Sequence, residues 1–217
     1  MKKLFLFDFD GVVVDSLDVY EGTVTRCLEK IGQPIIKSRG DFLELFEDNF
    51  YASLVRKGVD PTAFMAASTD ILKQVNYGDM KLFYDLIPVL AKLKKANILA
   101  IISSSDSQDI KLIMTHFHLN GYFRDVLGSD VNFSKKEKIL RAVDKFGTRK
   151  SDAYYIGDTT GDIKEAKTAG IKTIAVSWGW HSREKLAAAG PDHLIDRPDE
   201  LLDISRLRER QPFAVFS

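Results

Sequence analysis

The chain opens on an unbroken apolar run, Leu4-Phe5-Leu6-Phe7, which gives way abruptly to Asp8 and Asp10. A short apolar run without alternation predicts a strand buried on both faces, as in a parallel sheet. Residues 16–83 follow a different, helical period. Ser16 is placed to cap a first helix through Val19, Val24, Leu28 and Ile31, which stops near Gly32 and Pro34. A second helix is predicted over Asp41–Lys57, with Phe42, Leu45, Phe46, Phe50 and Leu54 on one face. Asp60-Pro61 starts a third, through Phe64, Ile71 and Val75. After Pro88 strands and helices alternate. The strands are 98–103, 125–129, 153–157 and 173–177, and the helices are 107–117, 135–146, 161–169 and 182–189.

Regular alternation of this kind predicts an α/β fold, a doubly wound, Rossmann-like parallel sheet with right-handed crossovers. The first strand is cut off from the others by the helical block. The expected organisation is a core of residues 1–15 and 84–217 with a small helical cap of 16–83 inserted above the strand ends. The two crossings would act as hinges, and such a cap can close over a substrate and exclude water.

Composition narrows the function. Lys plus Arg and Asp plus Glu number 31 each, so the net charge is zero. A nucleic-acid or membrane-surface binder needs a basic excess. No apolar stretch is long enough to span a bilayer, and the opening run is too short, and too soon broken by Asp8, to be a secretion signal. A single cysteine, Cys27, excludes an internal disulfide and is expected to be a small buried residue. These features predict a soluble cytoplasmic protein. The tail, 208–217, carries no readable pattern, and its apolar end would pack on the core or on another subunit.

Chemistry collects at the predicted strand ends, where open α/β sheets bind ligands. Alternation places Asp8 and Asp10 on one face, and Gly11 permits a sharp turn. Two adjacent carboxylates call for a cation, a shared proton, or a nucleophile paired with an acid/base; alone, the pair would also suit a solvated turn. The strand ending in Ser103-Ser104-Ser105-Asp106 offers either a phosphate cradle or a capping serine. In Gly157-Asp158-Thr159-Thr160-Gly161-Asp162, helix capping accounts for Asp162 but poorly for Asp158, which directly follows an apolar strand and a glycine. Ser134-Lys135-Lys136-Glu137-Lys138-Ile139 is a solvated helix face or a source of one cation for phosphate. Hard oxygen donors suit magnesium, and no histidine pair has zinc spacing.

In order and spacing these segments resemble the four motifs of the haloacid dehalogenase superfamily across nearly the whole chain. DFDGVVVDS is similar to the first motif, DxDG[TV], of its phosphatases. IISSSD, SKKEKI and IGDTTGD resemble the second, third and GDxxxD fourth motifs. The insert resembles the type 1 helical cap. The run SWGWHSREKLAAAGPDHLIDRPDEL is similar to the C-terminal segment of phosphoglycolate phosphatase-like members.

The resemblance implies a magnesium-dependent phosphatase acting on a small phosphorylated metabolite. Asp8 would be the nucleophile, forming an aspartyl-phosphate, and Asp10 the general acid and base. Asp8, the Asp10 carbonyl and Asp158 would hold Mg2+, with Asp162 ordering the site. Ser103 would bond a phosphoryl oxygen. Lys135 would neutralise charge, with Lys136 a close competitor because the common GKPxP spacing is missing. The alternative is a sugar phosphomutase of the β-phosphoglucomutase type, but Tyr20 fills the position of that group's cap-hinge histidine. Dehalogenation is disfavoured because Asp10 is present. Phosphonatases use a cap lysine, and neither Lys30 nor Lys37 can be given that part. A non-enzymatic phospho-ligand binding module is the remaining reading. Arg39, Lys37, Phe42, Phe46 and Arg56 are cap candidates for specificity, each also suited to an ordinary surface or packing role. Trp178, Trp180 and His181 would pack the end of the sheet or line the site entrance. Oligomeric state is not readable.

Overall fold

A computed structural model describes residues 2–207; the reading of the tail falls outside the described residues. The opening run forms strand β1 (Leu4–Phe7), fully buried. Its alternate side chains enter two separate apolar clusters, Phe5 and Phe7 one and Leu4 and Leu6 the other. That is why the run needs no polar position. The chain then forms β2 (Val14–Asp15), which pairs antiparallel with β3 (Lys81–Leu82). The two crossings between the helical block and the sheet are thus tied together in one short ribbon, where the sequence pattern suggested helices up to residue 83.

Between them lie α1 (Leu17–Lys30), α2 (Arg39–Glu44), α3 (Phe50–Arg56) and α4 (Pro61–Leu72). The helix predicted over 41–57 is broken at residues 45–49. Its carbonyls leave the helix to accept bonds from the sheet side: Phe46 O from Gly161 N at 3.0 Å and Glu47 O from Thr160 Oγ1 at 3.2 Å. Asn49 restarts the helix by accepting from Ala52 N. Ser16 stands at the N-cap position of α1, but its side chain makes no capping bond. These helices enclose their own apolar cluster, with Leu28, Phe42, Leu45 and Leu54 fully buried, joined by Trp180 from the far end of the chain.

The remaining strands are β4 (Ile98–Ile102), β5 (Val126–Leu127), β6 (Ala153–Gly157), β7 (Lys172–Val176) and β8 (His193–Ile195). With β1 they form one parallel sheet in the order β5-β4-β1-β6-β7-β8. The helices α5 (Leu86–Ala96), α6 (Ser107–His116), α7 (Lys135–Lys145), α8 (Thr160–Ala169), α9 (Arg183–Ala188) and α10 (Glu200–Arg206) complete the fold. The Phe5 face is covered by α5, α6 and α10, and the Leu4 face by α7 and α8. The architecture is doubly wound α/β, as the alternation predicts, with β1 central. Pro88, read as a boundary, lies in the first turn of α5, where its missing N–H is no loss. Among the described residues no helix is long and apolar enough to cross a membrane.

Candidate active site

Every predicted site residue lies at the carboxyl end of the sheet or at the start of the helix that follows. Asp8 and Asp10 leave β1, Ser103 leaves β4, and Asp158 leaves β6. Lys135 is the first residue of α7, set there by Ser134, whose side chain accepts from Glu137 N. The structure brings Lys135 into the site: its Nζ lies 2.5 Å from Asp8 Oδ2 and 2.6 Å from Asp162 Oδ1. Lys136 points to the surface, near Glu137.

Asp8 and Asp10 diverge because the strand stops at Phe7 and alternation no longer governs them. Asp8 faces Lys135. Asp10 instead meets neutral hydroxyls: Ser16 Oγ donates to it at 2.8 Å, Ser105 Oγ at 2.8 Å and Ser103 Oγ at 3.4 Å. Ser16 and Ser105 are therefore closer partners of Asp10 than Ser103, the residue expected to bond a phosphoryl oxygen. Tyr20 Oη lies 2.6 Å from Ser105 Oγ. With Asp10 ionised, Ser105 donates to it, so Tyr20 must donate to Ser105.

Asp158 is wholly buried. Its Oδ2 accepts from Trp180 N at 2.7 Å, while Oδ1 has no hydrogen-bond partner. Two glycines crowd it: a Cβ on Gly11, whose φ is +74°, or on Gly179 would overlap its carboxylate. One oxygen each from Asp8, Asp158 and Asp162 falls within 4.8 Å of the others. An orphaned carboxylate oxygen in a cluster of hard donors fits a divalent cation. Asp162 stands differently, since both its oxygens are engaged. Oδ2 accepts from Thr159 N and Oγ1 in a reciprocal cap, and Oδ1 accepts from Lys135 and Tyr155. Capping and site chemistry are the same set of contacts.

Burial dominates the titration of the pair. It raises Asp8 to about 7 against the attraction of Lys135. It raises Asp10 against the hydroxyls of Ser105, Ser16 and Ser103, and pushes Asp158 well up, helped by Asp162 and Asp8. Burial opposes the charge of Lys135, but Asp162 and Asp8 outweigh it and hold the amine well above its usual range.

A profile for haloacid dehalogenase-like hydrolases matches residues 5–176, most of the chain, including every segment that carries Asp8, Asp10, Ser103, Lys135, Asp158 and Asp162. The chain is a haloacid dehalogenase-like hydrolase. It is 29% identical to a phosphoglycolate phosphatase of Synechococcus elongatus, over 92% of this chain and 95% of that one. It is 26% identical to one from Aquifex aeolicus, over 93% and 96%. The structure resembles that of a predicted phosphatase from Clostridium acetobutylicum (TM-score 0.82, 24% identity, 95% and 100% of the two chains). It also resembles a haloacid dehalogenase-like family hydrolase from Streptococcus pneumoniae (TM-score 0.76, 22% identity, 94% and 98%).

The sequence reading gives Lys138 no role of its own in the hydrolase site. Lys138 is fully buried, and its Nζ donates to Ser103 O at 2.5 Å and Gly128 O at 3.3 Å, tying the ends of β4 and β5 together. Its i, i+3 spacing from Lys135 on one helix face was the available signal. His181 Nδ1 accepts from Thr160 N, so Nε2 carries the proton and donates to Leu43 O. Trp178 Nε1 donates to Val12 O, and Trp180 both packs and lines the site. Of the cap candidates, Arg39 pairs with Asp18 and Glu21 at the surface, Arg56 pairs with Asp48, and Lys37 is exposed. Lys30 pairs with Asp70, also at the surface. Phe42 is buried in the helical cluster, and Phe46 reaches the cavity. Cys27 is buried and borders the cavity; burial pushes its thiol up to about 11, so it is inert as a nucleophile at neutral pH.

Proposed function

We propose that this hydrolase is a magnesium-dependent phosphatase that cleaves a small phosphomonoester through an aspartyl-phosphate on Asp8. One observation carries the reading. Two neighbouring carboxylates have opposite company, Asp8 a lysine ammonium and Asp10 three neutral hydroxyls. Environments that divide two carboxylates in this way divide their roles.

Asp8, its charge supported by Lys135, attacks phosphorus. Asp10, whose proton is favoured by burial, donates it to the departing alkoxide as the P–O bond breaks. Asp10, now a carboxylate held by Ser16 and Ser105, takes a proton from water as that water attacks phosphorus and releases Asp8. Ser103 is the proposed phosphoryl-oxygen donor. Asp8 and Asp158, with the Asp10 carbonyl, would hold the magnesium ion, whose bound charge would neutralise the phosphoryl oxygens. Asp162 positions Lys135 and the turn that carries Asp158. The helices of 16–83 serve as a cap on a core of 1–15 and 84–217, with the 45–49 loop docked on the start of α8. The similarity to phosphoglycolate phosphatases supports a small phosphorylated substrate. Zero net charge and a single buried cysteine support a cytoplasmic setting.

The test is phosphate release from p-nitrophenyl phosphate with Mg2+. Asp8→Asn should abolish it, and a chelator should suppress it in the wild type. Asp10→Asn should form phosphoenzyme from this good leaving group and hydrolyse it slowly. Turnover by Asp8→Asn at the wild-type rate would remove Asp8 as the nucleophile.

A further inference from the structure

A cavity opens from the Asp8–Asp10 pair into the helical block. Its far wall is aromatic. Phe46 stacks on Phe50 at 5.1 Å and meets Trp180 edge-on at 4.8 Å, and Phe50 contacts Tyr51 at 5.1 Å and Phe64 at 5.6 Å. Three hydroxyls on this side are already engaged, while among the described residues the neutral indole N–H of Trp180 has no hydrogen-bond partner. Thr23 Oγ1 donates to Val19 O, Ser68 Oγ to Met65 O, and Tyr51 Oη to Ser104 O. Among the described residues Lys135 is the one cation on the lining, and it is held between Asp8 and Asp162. The same lining carries Asp106 and Asp109 besides the carboxylates of the reaction centre.

From this wall we infer that the alcohol half of the substrate is uncharged and bears a ring, and that a carboxylate-bearing alcohol such as glycolate is a poor fit. The inference rests on the phosphatase reading and deepens it. A glycolate carboxylate would leave water for a space with aromatic rings on one side, aspartates at the other, and no unengaged cation. Burying an unpaired charge is strongly unfavourable, and like charges nearby add to the penalty. A ring in the same place removes apolar surface from water and meets aromatic edges and faces.

The experiment compares kcat/KM for benzyl phosphate, ethyl phosphate and 2-phosphoglycolate with Mg2+, with acetyl phosphate as a measure of the chemistry alone. Benzyl phosphate should exceed 2-phosphoglycolate by about tenfold or more, since even single groups in an apolar pocket discriminate on that scale. Met65 is only partly buried on this wall, so Met65→Arg should move the ratio toward 2-phosphoglycolate. Leu72→Lys, on the same helix, does so independently if the first variant fails to fold. A wild-type kcat/KM for 2-phosphoglycolate equal to or above that for benzyl phosphate overturns the inference and leaves the phosphatase reading standing. Absence of phosphate release from all four compounds removes both.

Discussion

Replacing Lys135 by methionine keeps the aliphatic stem and deletes the ammonium that touches Asp8 at 2.5 Å and Asp162 at 2.6 Å. Three buried carboxylates, Asp8, Asp158 and Asp162, then face one another without that counter-charge. Removing one partner of a buried ion pair costs about 3–5 kcal/mol. In a chain of this size each kcal/mol moves Tm by about 2–4 °C, so Lys135→Met in chelator should melt roughly 6–20 °C lower. The deficit has a pH sign. Asp8 already stands at about 7 with Lys135 present, and losing that attraction raises it further. Between the ordinary carboxylate value and the raised one, the folded state holds a proton that the unfolded state releases. Stability therefore falls as pH rises through that window. The variant's deficit should be larger at pH 8 than at pH 5, and saturating Mg2+ should restore more stability to the variant than to the wild type. Melts followed by circular dichroism at both pH values, with chelator and with Mg2+, measure all three quantities. A variant that melts within about 2 °C of wild type in chelator at pH 8, less than one kcal/mol on that scale, would refute the reasoning.

Burial lowers the Lys138 amine from its usual 10.5 to about 7, with Lys135 adding to the shift. Between these values the unfolded state binds more protons, so this group adds stability as pH rises from 7 toward 10.5; Lys138→Met should flatten that rise in denaturant titrations at pH 7.5 and 9.5. Gly179→Ala drives a Cβ against Asp158 and toward Gly11 O, 2.5 Å away. Displacement of this kind should lower activity by about a hundredfold and weaken calorimetric Mg2+ binding with the far-ultraviolet spectrum unchanged. Phe42 is fully buried with ring contacts to Phe46 and Trp180 at 5.1 and 5.5 Å. Phe42→Ala should lose about 3–5 kcal/mol in urea unfolding, and a loss below about 1 kcal/mol would show the helical block to be loosely packed.

Five strands of the sheet were legible because each is a short, largely apolar run, and the acidic residues stand immediately beyond β1 and β6; the edge strand β8 was missed, being three residues long, opening on His193 and only partly buried. Lys135 and Lys136 could not be separated by composition; the phase of α7, set by Ser134 as N-cap, turns one inward and leaves the other outside. The break at 45–49 was invisible for a different reason. Its apolar spacing is helical, but its carbonyls are claimed by Thr160 and Gly161, more than a hundred residues away. Gly161 carries the counterpart of that signal: a Cβ there would collide with Phe46 O and Asp48 O. Ser16 and Ser105 sat within the segments already singled out, yet nothing local told that their hydroxyls turn toward Asp10 rather than to a helix end.

The indole of Trp180 comes from the loop after β7 but is buried in the cluster of the helical block, against Phe42 and Phe46. Lifting those helices from the sheet would carry this chromophore from an apolar surrounding into water. Trp178 starts partly exposed and bonded to Val12 O, so it would contribute a steadier background. The fold thereby contains its own optical gauge of opening: a red shift in emission would time each release of the helices, without a label and without following the chemistry.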